Sequence, residues 1–212
     1  MKDTVRALVL AGLGLVLGGC ATSPPSSFYT LTAMPGTPDP AETRTATFSV
    51  GLGPVSFPVF LDRPQIVRRN SGNRLAIDEF HRWGGTLQDD FLRVWTENLT
   101  ALLGTTRVFP FPSEVQYPLD FRVTADVLAF EGSADAEAIL RVRWTVLDHR
   151  SREPLRVEET RYRRPIGAPG DESALIAAMS ATLGDFSRDV AATLHRLPMP
   201  EPAASEDRLP RP

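Results

Sequence analysis

The chain has 212 residues, 42% hydrophobic and 23% charged, with a net charge of −3. That length suits one ordinary domain, and that balance excludes both wholesale disorder and a polytopic membrane protein. An acidic balance also excludes a nucleic-acid binder that works by neutralising phosphates.

Lys2 and Arg6 form a short positive region, followed by the apolar run Ala7–Leu17 and then Gly18, Gly19 and Cys20. As a helix that run would rise only about 16 Å, roughly half the hydrocarbon thickness of a bilayer, so it predicts a cleaved signal peptide over residues 1–19. Leu17-Gly18-Gly19-Cys20 has the form of a bacterial lipobox, in which small residues let a peptidase grip the backbone just before a lipidated cysteine. Cys20 is the only cysteine, which excludes an intramolecular disulfide and a Cys-based zinc cage and makes it the predicted lipidation residue. Acyl chains contribute roughly 0.8 kcal/mol per buried methylene, so two or three hold a protein firmly to a membrane. Ala21, where inner-membrane retention would use Asp, favours the periplasmic face of the outer membrane. The expected organisation is a lipidated tether over 20–26, a single periplasmic domain over 27–197 and a disordered, Pro-rich tail over 198–212.

Phe28–Thr32 is β-prone, and Thr45–Val55 reads as a strand broken near its glycines. Gln65–Arg69 and Leu75–Phe80 flank the turn signal Asn70-Ser71-Gly72-Asn73, which predicts a hairpin. Leu87, Phe91, Val94, Trp95, Leu99 and Leu102 recur at helical spacing, with Gly104 placed to end the helix. Leu119–Val127 and Ala138–Val146 alternate apolar with polar residues and predict two half-buried antiparallel strands, with Trp144 in the core against one helix. Leu155–Arg163 is a more polar, edge-like third. Asp171 caps a second long helix whose apolar stripe runs from Leu175 to Leu194. The expected fold class is α+β: an antiparallel-rich mixed sheet with two long helices packed on it.

No constellation of catalytic residues emerges. His81, His149 and His195 stand apart with no metal-ligand spacing, and no Ser sits in a G-x-S-x-G turn. Ser180 lies mid-helix as a small packing residue. Gly51-x-Gly53 lacks a third glycine and is followed by Pro54, so it is no dinucleotide loop. Asp89–Asp90 and Glu158–Glu159 are neighbours that point apart and cannot share a proton. Arg161, Arg163 and Arg164, with those glutamates close by, predict a surface ion network. No enzyme, metal site or cofactor is expected.

Several stretches together resemble the PqiC family of ABC-type transport auxiliary lipoproteins. They are Cys20 with Phe28–Leu31, VGLGPVSFPVFLDRPQIVRR at 50–69, SGNRLAIDEFHRW at 71–83, LGTTRVFPFP at 103–112, DFRVTADVLAFEG at 120–132, RWTVLD at 143–148 and AAMSATLGDFSRDVA at 177–191. The resemblance implies a non-catalytic outer-membrane component of an MCE-type system that moves lipids between membranes and supports membrane integrity. It implies as partners a PqiB-like periplasm-spanning MCE-domain protein and a PqiA-like inner-membrane protein, and a homo-oligomeric ring through which the MCE partner passes. Cys20 is the one functional residue that carries over by position. An auxiliary lipoprotein of an Mla-like importer is the alternative within this class, and a periplasmic hydrolase with an unrecognised site is the alternative outside it.

The 50–69 stretch adds a physical hint. Phe57, Val59, Phe60 and Leu61 lie among Pro54, Pro58 and Pro64, which suit neither a regular helix nor a central strand. They form either a semi-rigid partner-contact surface or a closure of the domain's own core.

Overall fold

The computed structural model describes residues 25–35, 45–113, 116–168 and 170–200. Cys20, the signal segment and residues 201–212 of the expected tail therefore lie outside the described residues. The strands are β1 (Ser27–Tyr29), β2 (Val50–Ser56), β3 (Gln65–Arg69), β4 (Leu75–Trp83), β5 (Val108–Pro110), β6 (Phe121–Gly132), β7 (Glu137–Asp148) and β8 (Pro154–Pro165). The helices are α1 (Leu87–Leu103) and α2 (Glu172–Leu194). No helix among the described residues is long and apolar enough to cross a membrane.

Both helices end where local chemistry says they should. The Thr86 hydroxyl accepts the Asp89 N–H at the start of α1, and Gly104 closes it at φ 60, a left-handed conformation that glycine adopts freely. Asp171 accepts the Ser173 and Ala174 N–H groups at the start of α2. The apolar stripes face inward: Phe91, Val94, Trp95 and Leu99 of α1 and Leu175, Leu183, Phe186 and Val190 of α2 are fully buried. Trp95 stacks on Phe186 with ring centroids 5.1 Å apart, and Trp144 of β7 meets Phe186 edge-on at 6.0 Å. Trp144 thus occupies the core position that its alternation predicts.

The eight-stranded sheet is mixed, and the expectation of an antiparallel-rich sheet is corrected. β3–β4, β6–β7 and β7–β8 pair antiparallel as hairpins do. β1–β4, β2–β5, β2–β6 and β3–β6 pair parallel. Alternation reveals neighbours joined by short turns; parallel partners lie far apart in sequence and leave no such local signature. β6 is the spine of the sheet. One edge pairs with β7 along its whole length, with Ala125 opposite Trp144, while the other is shared between β2 at its start and β3 at Gly132.

Two further adjustments have local causes. The strand expected over Thr45–Val55 starts only at Val50, and its pairing with β6 slips between Leu52 and Val55, where a cis Gly53–Pro54 bond interrupts the ladder. Between Ile77 and Arg82, β4 carries extra residues relative to β3, and Asp78 Oδ1 closes that bulge by accepting the Phe80 and His81 N–H groups.

Candidate functional site

The chain leaving β1 is stapled between the two helices by their side chains. Leu31 N–H donates to Asp90 Oδ2 (2.6 Å), Thr32 N–H to Ser180 Oγ (3.1 Å) and Met34 N–H to Asn98 Oδ1 (2.9 Å). Arg93 returns a bond to the Leu31 carbonyl at 2.9 Å. A segment without a strand partner for its backbone needs such acceptors, and here helix side chains supply them. Ser180 therefore does more than fill space: its hydroxyl accepts from Thr32 and donates to the Ile176 carbonyl.

Of the expected contact residues, Leu61 is 2% exposed and belongs to the core, because a turn linking Leu61 N–H to the Pro58 carbonyl folds it inward. Phe57 is half-buried, edge-on to Phe91 at 5.4 Å, and Phe60 is half-buried beneath the Arg69 guanidinium. Val59, at the tip of the turn, is 87% exposed. The segment thus closes the core with three residues and presents the fourth.

His81 has neighbours that sequence spacing hid. Its Nδ1 lies 3.0 Å from Asp78 Oδ2, and both approach the buried Glu172 at the start of α2. Burial pushes the Asp78 carboxyl up, but hydrogen bonds from His81 and the Phe80 backbone outweigh it and leave it below its ordinary value. Arg68 pairs with Glu172 at 2.8 Å and supplies the positive charge at this cluster. On the exposed face of β7 and β8 the expected ion network exists with other partners. Arg141 and Arg143 hold Glu159, Arg156 holds Glu158, and Arg164 reaches Asp185 on α2. Tyr162 points inward and donates to Asp189 Oδ2 at 2.8 Å.

At the other end of β6 two pockets share a wall formed by Phe111 and His149. The larger, about 400 Å³, is of mixed polarity, lined by Phe109, Phe111, Tyr117 and Leu119 along with Ser113, Gln116 and His149, with Phe109 stacked on Tyr117 at 3.8 Å. The smaller, about 150 Å³, is cationic, lined by Arg122, Arg150 and Arg152 together with Asp148. Burial, and then the neighbouring Arg152 charge, hold the Arg122 guanidinium below its ordinary value. The sequence reading did not single out these arginines. The β6–β7 pairing was the signal that could have done so, since it sets Arg122 opposite Leu147 and so beside the 149–152 turn.

Two solved structures share this fold. An uncharacterized protein matches with a TM-score of 0.66 at 13% identity, over 81% of this chain and 99% of that one. A Xanthomonas campestris protein of the DUF330 family matches with a TM-score of 0.66 at 18% identity, over 80% of this chain and 95% of that one. No curated protein matches the chain. The family model described as ABC-type transport auxiliary lipoprotein component matches residues 29–191, from β1 through most of α2. A match that takes in β2 through β8, all of α1 and most of α2 decides the assignment: the chain belongs to the PqiC-like family of ABC-type transport auxiliary lipoproteins.

Proposed function

We propose that this protein is anchored through Cys20 to the periplasmic face of the outer membrane. There it serves, without catalysis, as a subunit of an MCE-type system that carries lipid between membranes and supports membrane integrity. The observation that carries the reading is the family match over 29–191, a family of auxiliary lipoproteins, joined to a lipobox at the start of the chain. A non-catalytic role accords with what surrounds the polar residues. Ser180 is engaged by backbone, Glu172 is paired with Arg68, and the outer arginines of β7 and β8 are taken up by carboxylates.

The partners would be a PqiB-like MCE-domain protein and, through it, a PqiA-like inner-membrane protein, with this chain self-associating into a ring. Support for a contact surface comes from the exposed apolar side chains of Val59 and Phe28, 87% and 67% exposed, with Phe57 and Phe60 packed against the core beneath the turn that carries Val59. The test is purification of the lipidated protein from native membranes in mild detergent, with light scattering for its oligomeric state. A multimer that brings an MCE-domain protein with it is expected, and Val59→Asp should release that protein while leaving the fold intact. A strict monomer that retains no MCE-domain protein would overturn the reading. Separately, intact mass of the membrane protein should show cleavage before Cys20 and the added mass of acyl chains, both lost in Cys20→Ala, and a free Cys20 thiol in the parent would refute the anchor.

A further inference from the structure

Arg122 and Arg152 line the cationic pocket beside Asp148, and neither forms an ion pair with a carboxylate among the described residues. Arg122 lines the pocket, gives its Nε–H to the Gly53 carbonyl at 3.0 Å and lies 4.2 Å from the centre of the Phe111 ring. The nearby acids are engaged elsewhere. Asp120 accepts from Ser49 and faces Arg150 at 3.7 Å, and Asp148 Oδ1 accepts the Arg150 and Ser151 backbone N–H groups. Arg122 is half-buried and Arg152 is exposed, and two like charges brought together repel unless an anion joins them.

Two more features converge there. Arg152 sits at φ 62, the left-handed position that closes the β7–β8 hairpin, where its N–H donates to the Asp148 carbonyl. His149 Nδ1 is buried without a hydrogen-bond partner, on the wall between the two pockets. The larger cleft, with its aromatic wall of Phe109, Phe111 and Tyr117, continues from the same side, and its volume falls within the range of small-molecule sites.

We infer that the paired pockets bind an amphiphile with an anionic head of the phosphate-ester type, the head on Arg122 and Arg152 and the apolar chain along Phe109, Phe111, Tyr117 and Leu119. Guanidinium forks match phosphate oxygens in shape and charge, and the aromatic cleft removes the chain from water. The inference does not rest on the transport reading, because every residue it uses lies within this chain.

The test is calorimetric titration of the mature sequence from Ala21 onward, whose described core draws on no residue before Tyr29. The probes are dodecyl phosphate below its micelle threshold, inorganic phosphate as the head alone and dodecyl maltoside as an uncharged chain. Dodecyl phosphate should bind at least about ten-fold more tightly than either of the others, since only it fills both pockets. Arg152→Gly removes one guanidinium and places glycine at the positive φ, so the thermal midpoint should hold or rise while dodecyl phosphate binding weakens about ten-fold. Arg122→Gln should weaken it similarly. Undiminished binding to a folded Arg152→Gly protein would overturn the head assignment. Inorganic phosphate binding as tightly as dodecyl phosphate would overturn the chain assignment, and no binding at all would overturn both. The titration involves no partner protein, so its failure is distinguishable from a failure to retain an MCE-domain protein.

Discussion

The Leu31 backbone N–H donates to Asp90 Oδ2 at 2.6 Å, fastening the stretch that follows β1 to the first turn of α1. Asp90 also holds Arg93, which reaches back to the Leu31 carbonyl, so one carboxylate organises both ends of that peptide.

Asp90→Ala should therefore cost about 1–3 kcal/mol, the penalty for leaving a half-buried donor without an acceptor. The loss should be local first. Hydrogen exchange at residues 27–34 is expected to accelerate well below the global unfolding transition, and unchanged protection there would show that Asn98 and Ser180 suffice.

Trp144 is 1% exposed and edge-on to Phe186. Trp144→Ala should cost about 3–5 kcal/mol, as emptying a large aromatic site does. Its indole N–H has no hydrogen-bond partner in the core, so Trp144→Phe loses volume but no bond and should cost less than half as much. Denaturant midpoints of the two variants would separate these effects.

Gly53 holds φ 122, and a Cβ there would lie 2.1 Å from the Phe111 carbonyl oxygen. Gly53→Ala should destabilise by about 3 kcal/mol or more, combining backbone strain with a clash that no side-chain rotation relieves. By contrast, a Cβ at Gly184 meets the flexible Met34 side chain at 2.9 Å. Gly184→Ala, which also gains helix propensity, should stay within about 1 kcal/mol of the parent. Equal losses in the two variants would contradict this distinction.

The Tyr162 phenol is held above its ordinary value, first by burial and then by its bond to Asp189. Because the folded value exceeds the unfolded one, this contribution is complete below about pH 10, where an unfolded tyrosine titrates, and drains away as pH rises beyond it. Denaturant midpoints between pH 8 and 11 (a range set about that value) should fall for the parent. Tyr162→Phe, about 1 kcal/mol weaker at neutral pH through its lost hydrogen bond, should fall less steeply. Parallel slopes would refute the assignment.

Much of this architecture was legible from short-range chemistry. The Asn70–Asn73 turn signal marks the β3–β4 hairpin, Gly104 and Asp171 mark helix ends, and alternation through Ala125, Val127, Val142 and Trp144 sets the faces of β6 and β7. What stayed hidden depends on contacts between distant segments. β5 is three residues long and exists through pairing with β2, 58 positions away in the Val50–Val108 register. The flanking prolines left Leu61 open to either a contact surface or core closure, and the turn that folds it into the core decides for the second. Glu131 and Glu172 look like exposed acids in sequence, yet both are buried against Arg69 and Arg68 of β3. The expectation for Cys20 rests on four adjacent residues and lies outside the described ones, whereas Arg122, His149 and Arg152 meet only once β6 and β7 pair.

The order of strands gives the domain a near and a far side. β1 is one edge of the sheet, and β8 lies at the other, reached through β4, β3, β6 and β7. If acyl chains on Cys20 hold the start of the chain at the bilayer, residues 21–26 reach at most about 20 Å, and the β1 edge must hang close to the lipid surface. Five strand spacings of about 4.8 Å then carry the sheet roughly 24 Å along its width. The arginine–glutamate ladder of β7 and β8 would then be the flank of the sheet farthest from the tether.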